Sequence, residues 1–213
     1  MTPDQQQTTM SRYSAVMSEI KIRLNTVSAL LGGKFSLEGR IRDEFAYLQI
    51  RYICELIAIG CLIAHGEIAS AQTKKMLKDY SADRIIRNLA KIYPSFYPYP
   101  VTMTTTPPNE QYPRGHLQLG EIEGEYLTKS ELPRLWNECG GQLHRGSHHD
   151  YLTKGLPFPD SLPRLVSQTN KIVRLLNQHK ITLFDNRRYI LCAMNEAAAP
   201  VTTMFAMAPA LQS

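Results

Sequence analysis

Met10, Tyr13, Met17, Ile20, Leu24, Val27 and Leu31 step along the chain by threes and fours. That alternation is the apolar seam of an amphipathic helix, and Gly32-Gly33 supplies its stop. The spacing predicts a helix from about 8 to 31, preceded by a flexible 1–8. Its seam either packs inside a helical bundle or joins a second copy as a homodimer through 10–31. A second helix starts near Ser36 and runs to His65; from Phe45 to Ala64 only Gln49, Arg51 and Glu55 are polar. A helix this apolar on all sides belongs at the centre of a bundle.

Residues 72–93, QTKKMLKDYSADRIIRNLAKIY, read as two short helices broken at Tyr80-Ser81. Ser81 caps the second, and Asp83 suits the positive end of its dipole. The YPSFYPYP that follows cannot be helical, because proline removes amide donors and keeps its preceding residue extended. Between 101 and 127 the period changes to Thr–apolar alternation, broken by Pro-Pro-Asn and glycines, which predicts two or three short strands. Thr128 and Glu131 form a capping box for a helix over 131–144 that buries Leu135, Trp136, Cys139 and Leu143. Gly140-Gly141 within it marks a bend or a close approach by another part of the chain. A further helix spans 161–179, and ITLF-DN-RRYILCAM followed by VTTMFAM reads as a hairpin with a third strand. The expected fold is mainly α, with one domain over 1–213. It is a multi-helix bundle with a small β insertion (about 101–127) and a C-terminal β hairpin (about 181–207).

Composition changes this picture little. A chain of 213 residues can bury a full core without crosslinks. The net charge of +5 and pI near 9.0 lean toward an anionic partner. The four cysteines include no C-x-x-C pair, which fits reduced thiols and a cytoplasmic location. The N-terminus has no secretory pattern, and the most apolar run, Tyr52 to Ala64, contains Glu55 and is too short to span a bilayer. No membrane partner is expected.

The densest reactive stretch is CGGQLHRGSHHDY, from Cys139 to Tyr151. Its ligand spacing, C-x4-H-x3-H-H-D, matches none of the tight zinc patterns, and no metal or other cofactor is assigned. Cys139 lies on the buried stripe beside Trp136 and reads as packing rather than as a nucleophile. His144, Arg145, His148 and His149 remain as candidate catalytic residues. Their imidazoles move protons near neutral pH, and the guanidinium grips phosphate. Metal-independent RNA cleavage needs a base for the 2′-OH, an acid for the leaving oxygen and a cation for the phosphate. A passive phosphate-binding loop would hold the same residues. Arg51 and Glu55, four apart on one helix face, are a supporting pair or a tie to a neighbouring helix. Lys74, Lys75, Lys78, Arg84, Arg87 and Lys91 precede Tyr93, Phe96, Tyr97 and Tyr99. Together they offer charge for a nucleic-acid backbone and rings for its bases, or else a solvated helix face and a packed loop.

The run EFAYLQIRYICELIAIGCLIAHGEI (44–68), coupled with the polar segment ECGGQLHRG, resembles helical-bundle proteins of the HEPN type. The resemblance covers about half of the chain. It implies a compact bacterial RNase of a toxin–antitoxin or phage-defence system, or a relative that has lost catalysis and binds. The signature of that family is Arg, four to six residues, then His. Arg174 and His179 (RLLNQH) meet this spacing as further supporting residues, whereas His144-Arg145 with His148 and His149 departs from it. The sequence therefore predicts a cytoplasmic protein directed at RNA or another nucleic acid, with metal-independent endoribonuclease activity as its enzymatic form. The rival is a non-catalytic helical interaction protein, dimeric or bound to another protein.

Overall fold

The computed structural model describes residues 2–66, 81–110, 116–144, 161–195 and 198–207. Helix α1 (Pro3–Leu31) starts earlier than its periodicity announces. Gln5 N donates to Thr2 Oγ1 (3.3 Å) and Thr2 N donates to Gln5 Oε1 (2.7 Å), with Pro3 preset at the first helical position. The α1 seam packs within the chain: Tyr13, Met17, Ile20, Leu24, Val27 and Leu30 are buried. Helix α2 (Gly39–Ala64) runs antiparallel to α1, with Gly60 against Met17 and Gln49 bonded to Arg23. A Cβ on Gly60 would stand 3.0 Å from the Met17 methyl and 3.4 Å from the Tyr13 ring, so this glycine sets how closely the helices approach.

Helix α3 (Ala82–Ile92) follows Ser81 as predicted. Helix α4 (Glu131–Leu143) carries the predicted reciprocal pair, with Thr128 N on Glu131 Oε2 (2.9 Å) and Glu131 N on Thr128 Oγ1 (3.3 Å). Helix α5 (Leu162–Leu176) ends before the predicted 179. Among the described residues one helix, α2, is long and apolar enough to cross a membrane. Some 56% of its most apolar window is buried inside the protein.

The strands correct the expected fold class. Strands β1 (Tyr99–Thr106), β2 (His116–Glu121), β3 (Gln178–Thr182), β4 (Arg188–Ala193) and β5 (Thr202–Met207) form a single antiparallel sheet in the order β2-β1-β3-β4-β5. The sheet curls into a half-barrel. The protein is therefore α+β, and not a mainly α bundle carrying a small β insertion and a separate C-terminal hairpin. The two β regions join where Tyr99 pairs with Lys180 and Pro100 with His179. Beyond that two-residue ladder the Gln178 side chain continues the link, its Oε1 accepting from Met103 N at 2.7 Å. Periodicity within a segment carries no trace of a pairing made across some eighty residues.

Register and alternation assign the two faces. His179, Ile181, Ile190 and Cys192 turn toward the helices and are buried. Tyr99, Met103, Lys180, Tyr189 and Met204 share the opposite face, over a floor of buried Val101 and Leu191. Two side chains fasten α1 to the C-terminal strands and the loop between β4 and β5. The Tyr13 hydroxyl meets His179 Nε2 at 2.6 Å, and Lys21 Nζ donates to the carbonyls of Met194 (2.6 Å) and Ala199 (2.5 Å).

Candidate nucleic-acid interface

The described residues among those singled out in the sequence do not gather in one place. His144 is the C-cap of α4 and exposed, its amide donating to Gly140 O at 3.2 Å. Arg145, His148 and His149 lie outside the described residues, as do Lys74, Lys75 and Lys78. Arg84, Arg87 and Lys91 are exposed on α3, where Arg87 pairs with Asp83. Of the aromatic run, Tyr93, Phe96 and Tyr97 belong to the core. Tyr93 donates to Leu183 O and Asn186 Oδ1, and Tyr97 to Leu127 O. Only Tyr99 of the four is exposed, at 40%.

Arg51 and Glu55 form a clasp between α2 and α4. The Arg51 guanidinium lies 4.1 Å from the centroid of Trp136 and donates to Trp136 O at 3.1 Å, with its Nε 3.5 Å from Glu55. Trp136 Nε1 donates to Glu55 Oε1 at 2.8 Å. Gly140 leaves the room: a Cβ there would collide with the Arg51 head, which is the close approach that Gly140-Gly141 announced. The clasp meets α4 one turn before His144. Cys139 beside it is buried, and burial pushes its thiol up to about 12, so it does not supply a thiolate nucleophile.

Arg174 and His179 do not come together. Arg174 is exposed, its guanidinium over Gly124, whose φ of +99° suits a residue without a side chain. His179 is fully buried on β3, its Nδ1 donating to Leu176 O at 2.9 Å and its Nε2 accepting from Tyr13. Burial holds its pKa down to about 4, so the ring is neutral at pH 7. The Arg-x4-His spacing is present in the sequence, but the helix that was to carry both residues stops at Leu176. The strand that replaces its last turn carries His179 into the core instead.

Among the described residues no group of three or more His, Cys, Asp or Glu is placed to hold a metal ion. An open groove of about 480 Å³ between α1 and β5, lined by Gln6, Gln7, Met10, Ser11, Ser14 and Met204 among others, contains no acid or base.

The face of the sheet turned away from the helices has a different character. Lys180 Nζ lies 5.5 Å from the ring centroid of Tyr99 and 5.8 Å from that of Tyr189, a cation held between two aromatic rings on neighbouring strands. Tyr99 also meets Tyr126 edge to face at 6.0 Å. Exposed Leu119 and Met204 extend the surface along the sheet.

Comparisons with protein-family models, curated proteins and solved structures return no match.

Sequence reasoning missed Lys180, which fell between the expected helix 161–179 and the expected hairpin from 181, and Tyr189, which was taken for part of that hairpin. The signal was present: buried His179 and Ile181 flank Lys180, and strict alternation turns a residue between two core positions outward. What the cluster can do is hold a phosphate by charge and stack a base on a ring.

Proposed function

We propose that the protein binds single-stranded RNA, in a reducing compartment such as the cytoplasm, through the open face of its sheet. The observation that carries this reading is Lys180 between Tyr99 and Tyr189 on a sheet whose other face is covered by helices. Helices behind and aromatic rings in front is the arrangement by which single-stranded bases are received on antiparallel sheets. The net charge of +5 favours the approach of a polyanion, and four buried, free cysteines suit a reducing environment.

Fluorescence anisotropy with a labelled oligoribonucleotide, repeated from low to physiological salt, tests it. Binding should weaken steeply with salt. Tyr99→Ala should lose about 1–3 kcal/mol, the worth of one stacked base. Lys180→Gln should reduce the logarithmic salt slope by about 1. Absence of binding at low salt would sink the reading.

Endonucleolytic cleavage is the enzymatic form of the same proposal. Its support is the exposed imidazole of His144 at the open end of α4. The same RNA run on a gel separates the two forms. A nuclease loses cleavage with His144→Ala while keeping its affinity, and a pure binder leaves the RNA intact throughout.

A further inference from the structure

Strand β5 is an edge of the sheet. Strand β4 pairs with one side of it, and every second residue turns its N–H and C=O to the other side. Among the described residues nothing donates or accepts along that outer side. Edge strands commonly refuse a partner with a charge, a proline or a bulge. TTMFAM has no charge and no proline, and its six residues pair one to one with β4.

The gap of about 480 Å³ between α1 and β5 lies along this edge, for Thr203, Met204 and Phe205 all line it. Consecutive residues of a strand point to opposite faces, so three in a row border one space only where it runs beside the backbone. The opposite wall is one face of α1, from Pro3 to Ser14 at helical spacing. That wall is about 16 Å long at a rise of 1.5 Å per residue, a length that about five extended residues cover. Edge and wall therefore match a short strand.

We propose that this gap receives an extended, uncharged peptide segment of a partner protein, which adds to β5 as a sixth strand of the five-stranded sheet. The open main-chain groups specify the occupant, because another extended backbone presents donors and acceptors at their spacing. Helix α1 closes the far side, so the occupant enters as a single chain. The β5 of a second copy comes flanked by its own β4 and α1 and does not fit between them. The lining selects the side chains. It holds no acid or base, so a charge carried into the gap finds no counter-ion and is refused. Met10, Met204 and Phe205 receive apolar side chains, while Gln7 and Ser11, exposed on α1, bond to polar ones. Main chain gives the affinity and alternate side chains the specificity. The inference is independent of the RNA-binding reading, whose Tyr99, Lys180 and Tyr189 lie on β1, β3 and β4.

A display library of random heptapeptides, selected on the full chain, supplies the probe. Its best sequence, capped at both ends, is then measured by fluorescence anisotropy. The selected peptides should lack Asp, Glu, Lys and Arg over about five consecutive positions. Ser11→Trp fills the gap from an exposed position and should weaken binding at least about 10-fold, with an unchanged circular dichroism spectrum. N-methylation of alternate peptide residues tests strand addition without altering the protein. One set should abolish binding and the other spare it, and the bound peptide should slow hydrogen exchange at every second amide of β5. No enrichment over the Ser11→Trp protein overturns the inference, as does a selected motif that carries charge or an equal loss from both methylated sets. A wild-type mass of twice 24.2 kDa that Ser11→Trp returns to 24.2 kDa would assign the gap to a second copy and overturn it equally.

Discussion

His179 shows how one residue can be mistaken for chemistry and serve the core instead. Its ring is neutral because full burial disfavours the charged form, and its accepting nitrogen is filled by the Tyr13 hydroxyl. An unfolded histidine titrates near 6.5, and this one near 4. Between those values the unfolded chain binds the extra proton. The stability contribution is complete above pH 6.5 and is lost as pH falls toward 4, by about 3 kcal/mol in all. His65, also buried with a lowered pKa, acts in the same direction. Denaturant unfolding at pH 7 and pH 4.5 should register the fall, and His179→Gln should flatten it. An equally steep decline in that variant would assign the effect to other groups. None of this was visible in the sequence, where His179 is a polar residue five positions after an arginine.

At the scale of elements, the joints between helices and strands rest on single side chains. Gly140→Ala would push the Arg51 head off Trp136, giving up the stacking and the bond to Trp136 O. The cost should be about 1 kcal/mol, similar to that of Arg51→Ala. The double variant should cost little more than either single one, because both remove the same clasp. Additive losses in unfolding free energy would show that Gly140 and Arg51 act separately. Gln178→Leu should strand the Met103 amide and loosen β1 from β3, seen as faster hydrogen exchange at Met103. Element types were legible wherever a local pattern announced them, as in the α1 seam and the Thr128–Glu131 box; α3 starts after Ser81 as expected, though the Ser81 side chain makes no capping bond. Helix α5 was read too long because no glycine or proline after Leu176 announces a stop, while the pairing of Gln178 and His179 with β4 competes and wins. Of the candidate site, Tyr99 alone was legible; Lys180 and Tyr189 acquire their meaning only when the strands lie side by side.

For the whole molecule, the fold class depended on a contact that no local pattern encodes. Tyr99-Pro100 against His179-Lys180 turns two apparent appendages into one sheet and a helical bundle into two layers. The same layering buries all four cysteines, so native protein should show no fast thiol toward Ellman's reagent and four after denaturation. A rapid reaction in the native state would contradict the core described above. The bonds from Tyr13 to His179 and from Lys21 to Met194 and Ala199 carry a consequence for the order of synthesis. Helix α1 leaves the ribosome with its apolar seam formed, and the strands that complete its surroundings emerge some 160 residues later. Until then Tyr13 has no acceptor and Lys21 no carbonyls to grip. A nascent chain stalled after Leu176 would therefore be a sticky helical fragment, dependent on chaperones and open to proteolysis, and strands translated long after α1 would be the ones that make that helix safe.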